Sequence, residues 1–243
     1  MDRFSILRGK NCFITGATGG IGREITRNLA ANGCNLFLTS RTSSKLNDLK
    51  KELGIENSEV MIEKIATDLT EIKNIEDAAK TAISFFGKID ILINCAGIYK
   101  VKSLNESTIS DFEDNIYVNL RSAFVFSKIF SEHMKNSGWG RIVNIGSSSC
   151  YGGAVNTSLY CMSKHGLLGL SRAMAVELKK DNIRVFCISP SGTKTKMGLS
   201  IPNQNFETFL NPAEIAEYIS FVISFDGELI SDEIMLKRIN MEA

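Results

Sequence analysis

Proline occurs only three times in 243 residues, at positions 190, 202 and 212, so no proline-rich linker divides the chain. Histidine occurs twice, at 133 and 165, and the six cysteines at 12, 34, 95, 150, 161 and 187 include no Cys-x-x-Cys pair. A zinc site is therefore poorly supplied. Cys12, Cys34 and Cys187 lie in or beside apolar runs, which suits small buried thiols better than bridges. Neither sign of charge is in excess: 28 Lys and Arg stand against 27 Asp and Glu, which gives no case for a nucleic-acid partner. No long apolar stretch follows Met1-Asp2-Arg3-Phe4-Ser5 to suggest a secretory or membrane-spanning segment. The expectation is a cytoplasmic protein without membrane contact. Internal repeats and low-complexity tracts are also missing.

What is present is a globular composition, 44% hydrophobic and 23% charged. Short apolar runs alternate with longer amphipathic stretches. The predicted strands are Asn11–Thr15, Cys34–Thr39, Val60–Ala66, Ile89–Ile93, Arg141–Ile145, Arg184–Ile188 and Glu233–Leu236. Helical patterns fall on Gly20–Asn32, Ile72–Phe86, Ser110–Asn136 and Ser158–Lys180, among others. Runs such as Ile89-Asp90-Ile91-Leu92-Ile93 are apolar without clean alternation, as strands covered on both faces must be. The predicted class is α/β: a doubly wound, mostly parallel seven-stranded sheet with helices on both faces, in one domain over 1–243. Such a sheet takes ligands beyond the carboxyl ends of its strands.

The first strand ends in Thr15-Gly16-Ala17-Thr18-Gly19-Gly20-Ile21-Gly22, and a helix pattern follows at once. Gly16 permits a tight turn, Gly20 lets a pyrophosphate approach the backbone, and Gly22 allows close helix–strand packing. The helix N-terminus adds free N–H groups and a positive dipole end. About twenty residues on, the second strand closes on Ser40-Arg41, where an acid would grip the ribose of NAD. A guanidinium there can pair with a 2′-phosphate, so NADP(H) is favoured and NAD(H) is the alternative.

Tyr160-Cys161-Met162-Ser163-Lys164 lies in a helical pattern, and i, i+4 spacing puts phenol and ammonium on one face. A free tyrosine ionises near pH 10, and a neighbouring cation favours its phenolate. Ser147, after the strand Arg141–Ile145, stands at the ligand end of the sheet, where a hydroxyl can bond a substrate oxygen. Spacing alone leaves Ser148 and Ser149 open.

Together these residues resemble the short-chain dehydrogenase/reductases, Rossmann-type enzymes, over essentially the whole chain, in particular their 3-oxoacyl-reductase-like branch. The resemblance rests on the Thr15–Gly22 loop, Asp68, Asn94-Cys95-Ala96-Gly97, Asn119, Ser147, the Tyr160–Lys164 pair and Pro190-Ser191-Gly192-Thr193-Lys194-Thr195. It implies that Tyr160 exchanges the hydroxyl proton and that Lys164 holds the nicotinamide ribose. Ser147, in preference to Ser148, would orient the substrate oxygen, and Asn119 would hold a water beside Lys164. It further implies cofactor contacts from Gly16, Thr18, Gly20, Ile21, Gly22, Arg41, Asp68, Leu69, Asn94, Ala96 and Gly97. Tyr160, Lys164, Pro190, Thr193 and Thr195 complete that set.

The chain departs from the family pattern at Cys95, usually an amide, at Ser191, usually a glycine, and at Thr18, often basic in members that prefer NADP. Glu233–Asn240 lacks the frequent Asp-Gly-Gly ending. A segment over about 195–212, with Met197, Leu199, Ile201, Phe206, Phe209 and Leu210, is expected to cover the substrate. The implied function is reduction of a carbonyl compound (3-oxoacyl thioester, keto-sugar or small ketone) with NADPH. An NAD-dependent alcohol or sugar dehydrogenase is the alternative. A silent dinucleotide-binding regulator would be expected to lack one of Asn119, Ser147, Tyr160 and Lys164, and all are present. The resemblance also implies a homodimer or homotetramer through the helices Ser110–Asn136 and Ser158–Lys180.

Overall fold

Seven parallel strands in the order β3-β2-β1-β4-β5-β6-β7 form the sheet of the computed structural model, which describes residues 3–56 and 60–239. Met1, Asp2 and Asn240, which belong to the terminal runs read above, lie outside the described residues. The strands are β1 (Asn11–Thr15), β2 (Asn35–Ser40), β3 (Ile62–Ala66), β4 (Ile91–Asn94), β5 (Gly140–Ile145), β6 (Ile183–Pro190) and β7 (Glu233–Leu236). The helices are α1 (Gly20–Ala31), α2 (Ser43–Glu56), α3 (Ile72–Phe86), α4 (Ile109–Ile116), α5 (Ser122–Ser137), α6 (Ser158–Leu178) and α7 (Pro212–Ile223). The predicted doubly wound sheet is the observed one.

Alternate residues of a strand point to opposite faces, and both faces here are covered. Cys12 and Ile14 of β1 pack with Ile25 and Leu29 of α1 and with Ile215 and Ile219 of α7. Phe13, between them, faces the other way into Phe37, Phe126 and Phe130. Its ring lies 5.4 Å from that of Phe37 and 4.7 Å from that of Phe126. This double burial explains the unbroken apolar runs. A wholly buried Arg141 ties the end of α7 to β5, inside the sheet, donating to the carbonyls of Ile223 and Phe225 and to Asp226 at 2.6 Å.

Several boundaries move. β4 starts at Ile91 rather than Ile89; just before it the Asp90 carboxylate accepts from the Asn11 N–H at 3.0 Å, while the Asp90 N–H donates to the Asn11 carbonyl at 2.9 Å. β2 starts at Asn35, since the Cys34 N–H is spent on the Leu29 carbonyl at the end of α1. α6 gives way at Lys179–Asp181 to a tighter 3-10 turn. The predicted helix Ser110–Asn136 is α4 and α5 joined by a π-helical turn at Tyr117–Arg121. Its start is fixed by Thr108, whose hydroxyl accepts from Asp111 N–H while Asp111 answers the Thr108 N–H. Such single π turns are rare and often fall at functional sites; this one contains Asn119.

The strand order reverses between β1 and β4, where β1 turns out to α1 and β4 to α4. The crevice beyond their carboxyl ends is the place for a ligand.

Candidate active site

A cavity of about 860 Å³ opens at that crevice. One wall is the loop from β1 to α1. Gly16 has φ +66°, and a Cβ there would come within 2.8 Å of Ala96 Cα in the loop after β4. A Cβ on Gly22 would collide with the Gly16 carbonyl oxygen. Only glycine fits both places, so the turn stays tight and the start of α1 faces the cavity. Gly19 caps α1 without any side-chain bond to its first N–H groups, leaving them available to an anion. Thr15 Oγ1 accepts from the N–H groups of Cys95 and Ala96, both at 3.1 Å, and so clamps the two loops that flank the crevice.

One end of the cavity is lined by Arg41 and Lys45, with Asp68 and Leu69 after β3. The Thr70 N–H and hydroxyl, at 2.9 and 2.8 Å, hold the Asp68 carboxyl below its ordinary value, and Arg41 adds to the effect. Among the described residues Arg41 makes no ion pair closer than 4.0 Å.

α6 supplies the opposite wall. Tyr160 and Lys164 both face the cavity, one turn apart as predicted, and both are nearly covered. The Lys164 ammonium donates to the Ile145 carbonyl at 2.7 Å and stands 5.8 Å from the centre of the Tyr160 ring. Tyr99, after β4, meets the Tyr160 ring edge-on at 4.8 Å. Burial pushes the Tyr99 phenol up, with Tyr160 and Cys161 contributing. Ser147, Ser148 and Ser149 all line the cavity. Ser147 is the one that caps the turn after β5: its hydroxyl accepts from the Ser149 N–H at 3.1 Å, and its own N–H points at Cys150 Sγ, 3.3 Å away. The neighbouring Cys187 thiol, with the Ser189 hydroxyl and the Ser147 N–H, pulls the Cys150 thiol down. Cys95, by contrast, is pushed up by burial to about 12, and is a neutral wall residue.

Of the site residues read from the sequence, Asn94 and Asn119 alone do not line the cavity. Asn94 donates to Asn144 at 2.8 Å and Ser127 at 3.4 Å, one layer behind the wall. Asn119 bonds both backbone groups of Ile98 and the Ser163 hydroxyl. A Cβ on Gly97 would lie 3.4 Å from Asn119 Oδ1 and 3.8 Å from Lys164 Nζ, so both side chains approach that glycine. Tyr99 and Lys45 also line the cavity and were not singled out in the sequence; Gln204, within the covering segment, and Met235, Lys237 and Arg238, within the C-terminal run, line it too. Tyr99 was in reach, two residues after Gly97. Lys45 had no motif to announce it. In the expected covering segment, Met197 and Ile201 face the cavity, whereas Phe209 closes on Gly192 and Leu199 is exposed.

The residues fit a dinucleotide. A Cβ on Gly20 would strike the Thr195 side chain, so the loop and the Pro190–Thr195 segment close on one another with no room to spare. The Ser191 hydroxyl, in that segment, is buried without a hydrogen-bond partner. Such an unmet polar group beside a cavity is suited to a polar ligand.

A family profile for short chain dehydrogenase matches residues 10–205. The 3-oxoacyl-[acyl-carrier-protein] reductase of Thermotoga maritima is 29% identical over 239 residues, 94% of this chain and 96% of its own. The D-beta-hydroxybutyrate dehydrogenase of Cupriavidus necator is 30% identical over 192 residues, 79% of this chain and 74% of its own. An alcohol dehydrogenase from Thermococcus sibiricus, solved with 5-hydroxy-NADP, superposes with a TM-score of 0.88 at 28% identity, covering 97% of this chain and 99% of that one. With the glycine loop facing a tyrosine–lysine pair across one crevice, the chain belongs to the short-chain dehydrogenase family and is a nicotinamide-dependent oxidoreductase of CH–OH and carbonyl groups.

Proposed function

We propose that the protein is an NADPH-dependent ketoreductase whose acid/base residue is Tyr160. The observation that carries this is the approach of Tyr160, Lys164 and Ser147 to one cavity wall, opposite a glycine loop too tight for any side chain. Bound NADPH supplies a hydride. Tyr160 delivers its phenolic proton to the substrate oxygen as negative charge develops there. The Ser147 hydroxyl donates a hydrogen bond to the same oxygen, which orients the carbonyl. Lys164 holds the nicotinamide ribose, and its ammonium stabilises negative charge left on the phenol oxygen. Gly16, Thr18, Gly20, Ile21 and Gly22 receive the pyrophosphate at the start of α1. Asp68, Leu69, Ala96 and Gly97 bound the adenosine half, with Asn94 supporting that wall from behind. Pro190, Thr193 and Thr195 bound the nicotinamide.

The preference for NADPH rests on Arg41, which among the described residues has no carboxylate within 4.0 Å and follows β2, where a guanidinium can pair with a 2′-phosphate. Thr18, not basic, supports the second reading, an NAD-dependent alcohol or sugar dehydrogenase. The substrates proposed are 3-oxoacyl thioesters, keto-sugars and small ketones, covered by the segment 195–212 within a single domain. We place the enzyme in the cytoplasm as a homodimer or homotetramer. Exposed Phe112, Phe124 and Val176 on α4, α5 and α6 support assembly through those helices. A ketone panel followed at the nicotinamide absorbance, wild type against Tyr160→Phe, tests the function; a fully active variant overturns it. Titration with NADPH and NADH tests the cofactor, and equal affinity removes the role of Arg41.

A further inference from the structure

Among the described residues, the cavity is lined by six cations and one carboxylate: Arg41, Lys45, Lys164, Lys196, Lys237 and Arg238 against Asp68. Two of the six, Arg41 and Lys164, have roles in the proposed ketoreductase, and Lys45 and Lys196 neighbour residues that do. Arg41 and Lys45 share the adenosine end with Asp68, and Lys164 stands beside Tyr160. Lys196 follows Thr195, which closes on Gly20 of the phosphate loop. Lys237 and Arg238, which follow β7, have no part in that reading.

Their position follows from the sheet. In the register of β6 and β7, Pro190 pairs with Leu236, and the Ser191 N–H donates to the Leu236 carbonyl at 2.9 Å. The chain therefore leaves β7 beside the Pro190–Thr195 segment, at the nicotinamide end of the crevice. Arg238 stacks there on Phe209, 4.9 Å from the ring centre, and Phe209 in turn covers Gly192. Its guanidinium is half-buried and, among the described residues, held by neutral oxygens alone, Thr208 Oγ1 at 3.1 Å and Gln204 Oε1 at 2.8 Å, while Nε is buried without a partner there. Among the described residues neither Arg238 nor Lys237 has a carboxylate within 4.0 Å. A guanidinium taken partly out of water without a counter-charge is costly unless something anionic completes it. Gln204 and Thr208 lie in the covering segment, so the charge is aimed from a fixed lattice and not from a free side chain.

Resting on the ketoreductase reading, we propose that the carbonyl substrate carries an anionic group, a carboxylate or a phosphate. Arg238 receives it at the substrate end of the cavity, and Lys237 adds charge. A planar fork suits either oxyanion.

The test uses matched pairs: acetoacetate against methyl acetoacetate, and dihydroxyacetone phosphate against dihydroxyacetone, each with NADPH. The anionic member of at least one pair should have kcat/KM about 10- to 100-fold above its neutral partner. Which pair responds tells carboxylate from phosphate. Arg238→Met should erase the difference by raising KM for the anion alone, Arg238→Lys should restore part of it, and the exposed Lys237→Gln should lower it without touching the fold. Calorimetry of the same four compounds on the enzyme–NADPH complex reads anion preference without turnover. Neutral members handled as well as the anions in both measurements, or Arg238→Met slowing both members of a pair equally, would overturn the proposal. Failure of the ketoreductase reading looks different: a Tyr160→Phe variant as active as wild type, whatever the charge of the substrate.

Discussion

Asn119 and Ile98 are paired in both directions: the Ile98 N–H donates to Asn119 Oδ1 at 2.8 Å, and Asn119 Nδ2 donates back to the Ile98 carbonyl at 3.0 Å. The pairing fastens the loop after β4, which carries Tyr99, to the π turn between α4 and α5. Through Ser163, at 3.0 Å, it reaches the helix of Tyr160 and Lys164. Replacing Asn119 by Ala leaves two backbone groups of Ile98 without partners, a cost of about 1–3 kcal/mol. The expected outcome is a lower Tm together with a fall in kcat. Asn119→Asp keeps the acceptor and loses the donor, so its carboxylate faces the Ile98 carbonyl, and it should be no better. A variant with unchanged kcat would show that the link is only structural.

For Tyr160→Phe, turnover is expected to fall by about 10²–10⁴-fold, the range of one positioned acid. The ring and its contact with Tyr99 remain, so NADPH affinity and Tm should stay near wild type. Stopped-flow absorbance and calorimetry separate the two effects.

Alanine at two helix glycines should act in opposite directions. At Gly22 the added Cβ meets the Gly16 carbonyl, backbone against backbone, and overpacking of this kind costs about 1–3 kcal/mol. NADPH binding should weaken with it. At Gly54, exposed in α2, a Cβ meets nothing within 4 Å, and the gain in helix propensity is about 1 kcal/mol. Thermal melts with and without NADPH distinguish the sites; equal effects would contradict the geometry.

Arg41→Asp removes a cation from the adenosine end and puts in a charge that repels a 2′-phosphate. NADPH affinity is expected to fall about tenfold or more, while NADH affinity holds or improves. Fluorescence titration with each cofactor reads the switch, and a variant that loses both equally would mean Arg41 serves the fold.

Asp111 ties the loop of Tyr99 to α4, bonding Lys102 at 2.6 Å, Lys100 at 3.1 Å and both groups of Thr108. Lys102, then Thr108 and Lys100, hold its carboxyl well below the usual range. A carboxyl depressed in the folded state contributes stability above its unfolded value, near 4, and that contribution fades as pH falls through the folded value. Asp111→Asn should therefore melt below wild type at pH 7, and the gap should narrow below about pH 4. A gap that is constant with pH would assign the effect to the helix cap alone.

Much of this site was legible because its chemistry sits in short runs. Thr15–Gly22 and Tyr160–Lys164 each fix their own geometry within a turn or two, and both line the cavity where they were expected. Asn119 was legible as a residue and not as a placement. Helical periodicity runs straight through 110–136, and the π turn that contains Asn119 leaves no mark on hydrophobic spacing. Asn94 shows the same limit: its side chain turns to Asn144, 50 residues away and one strand over.

By itself the sequence determined the parallel sheet, its two buried faces and the two local motifs, because patterning and glycine geometry act over a few residues. Only the tertiary structure decided what the C-terminal run is for. Lys237 and Arg238 have no motif, and they acquire a role because β7 pairs with β6 and delivers them to the Pro190–Thr195 loop. Such placement depends on contacts far apart in the chain, and local chemistry cannot encode those one segment at a time.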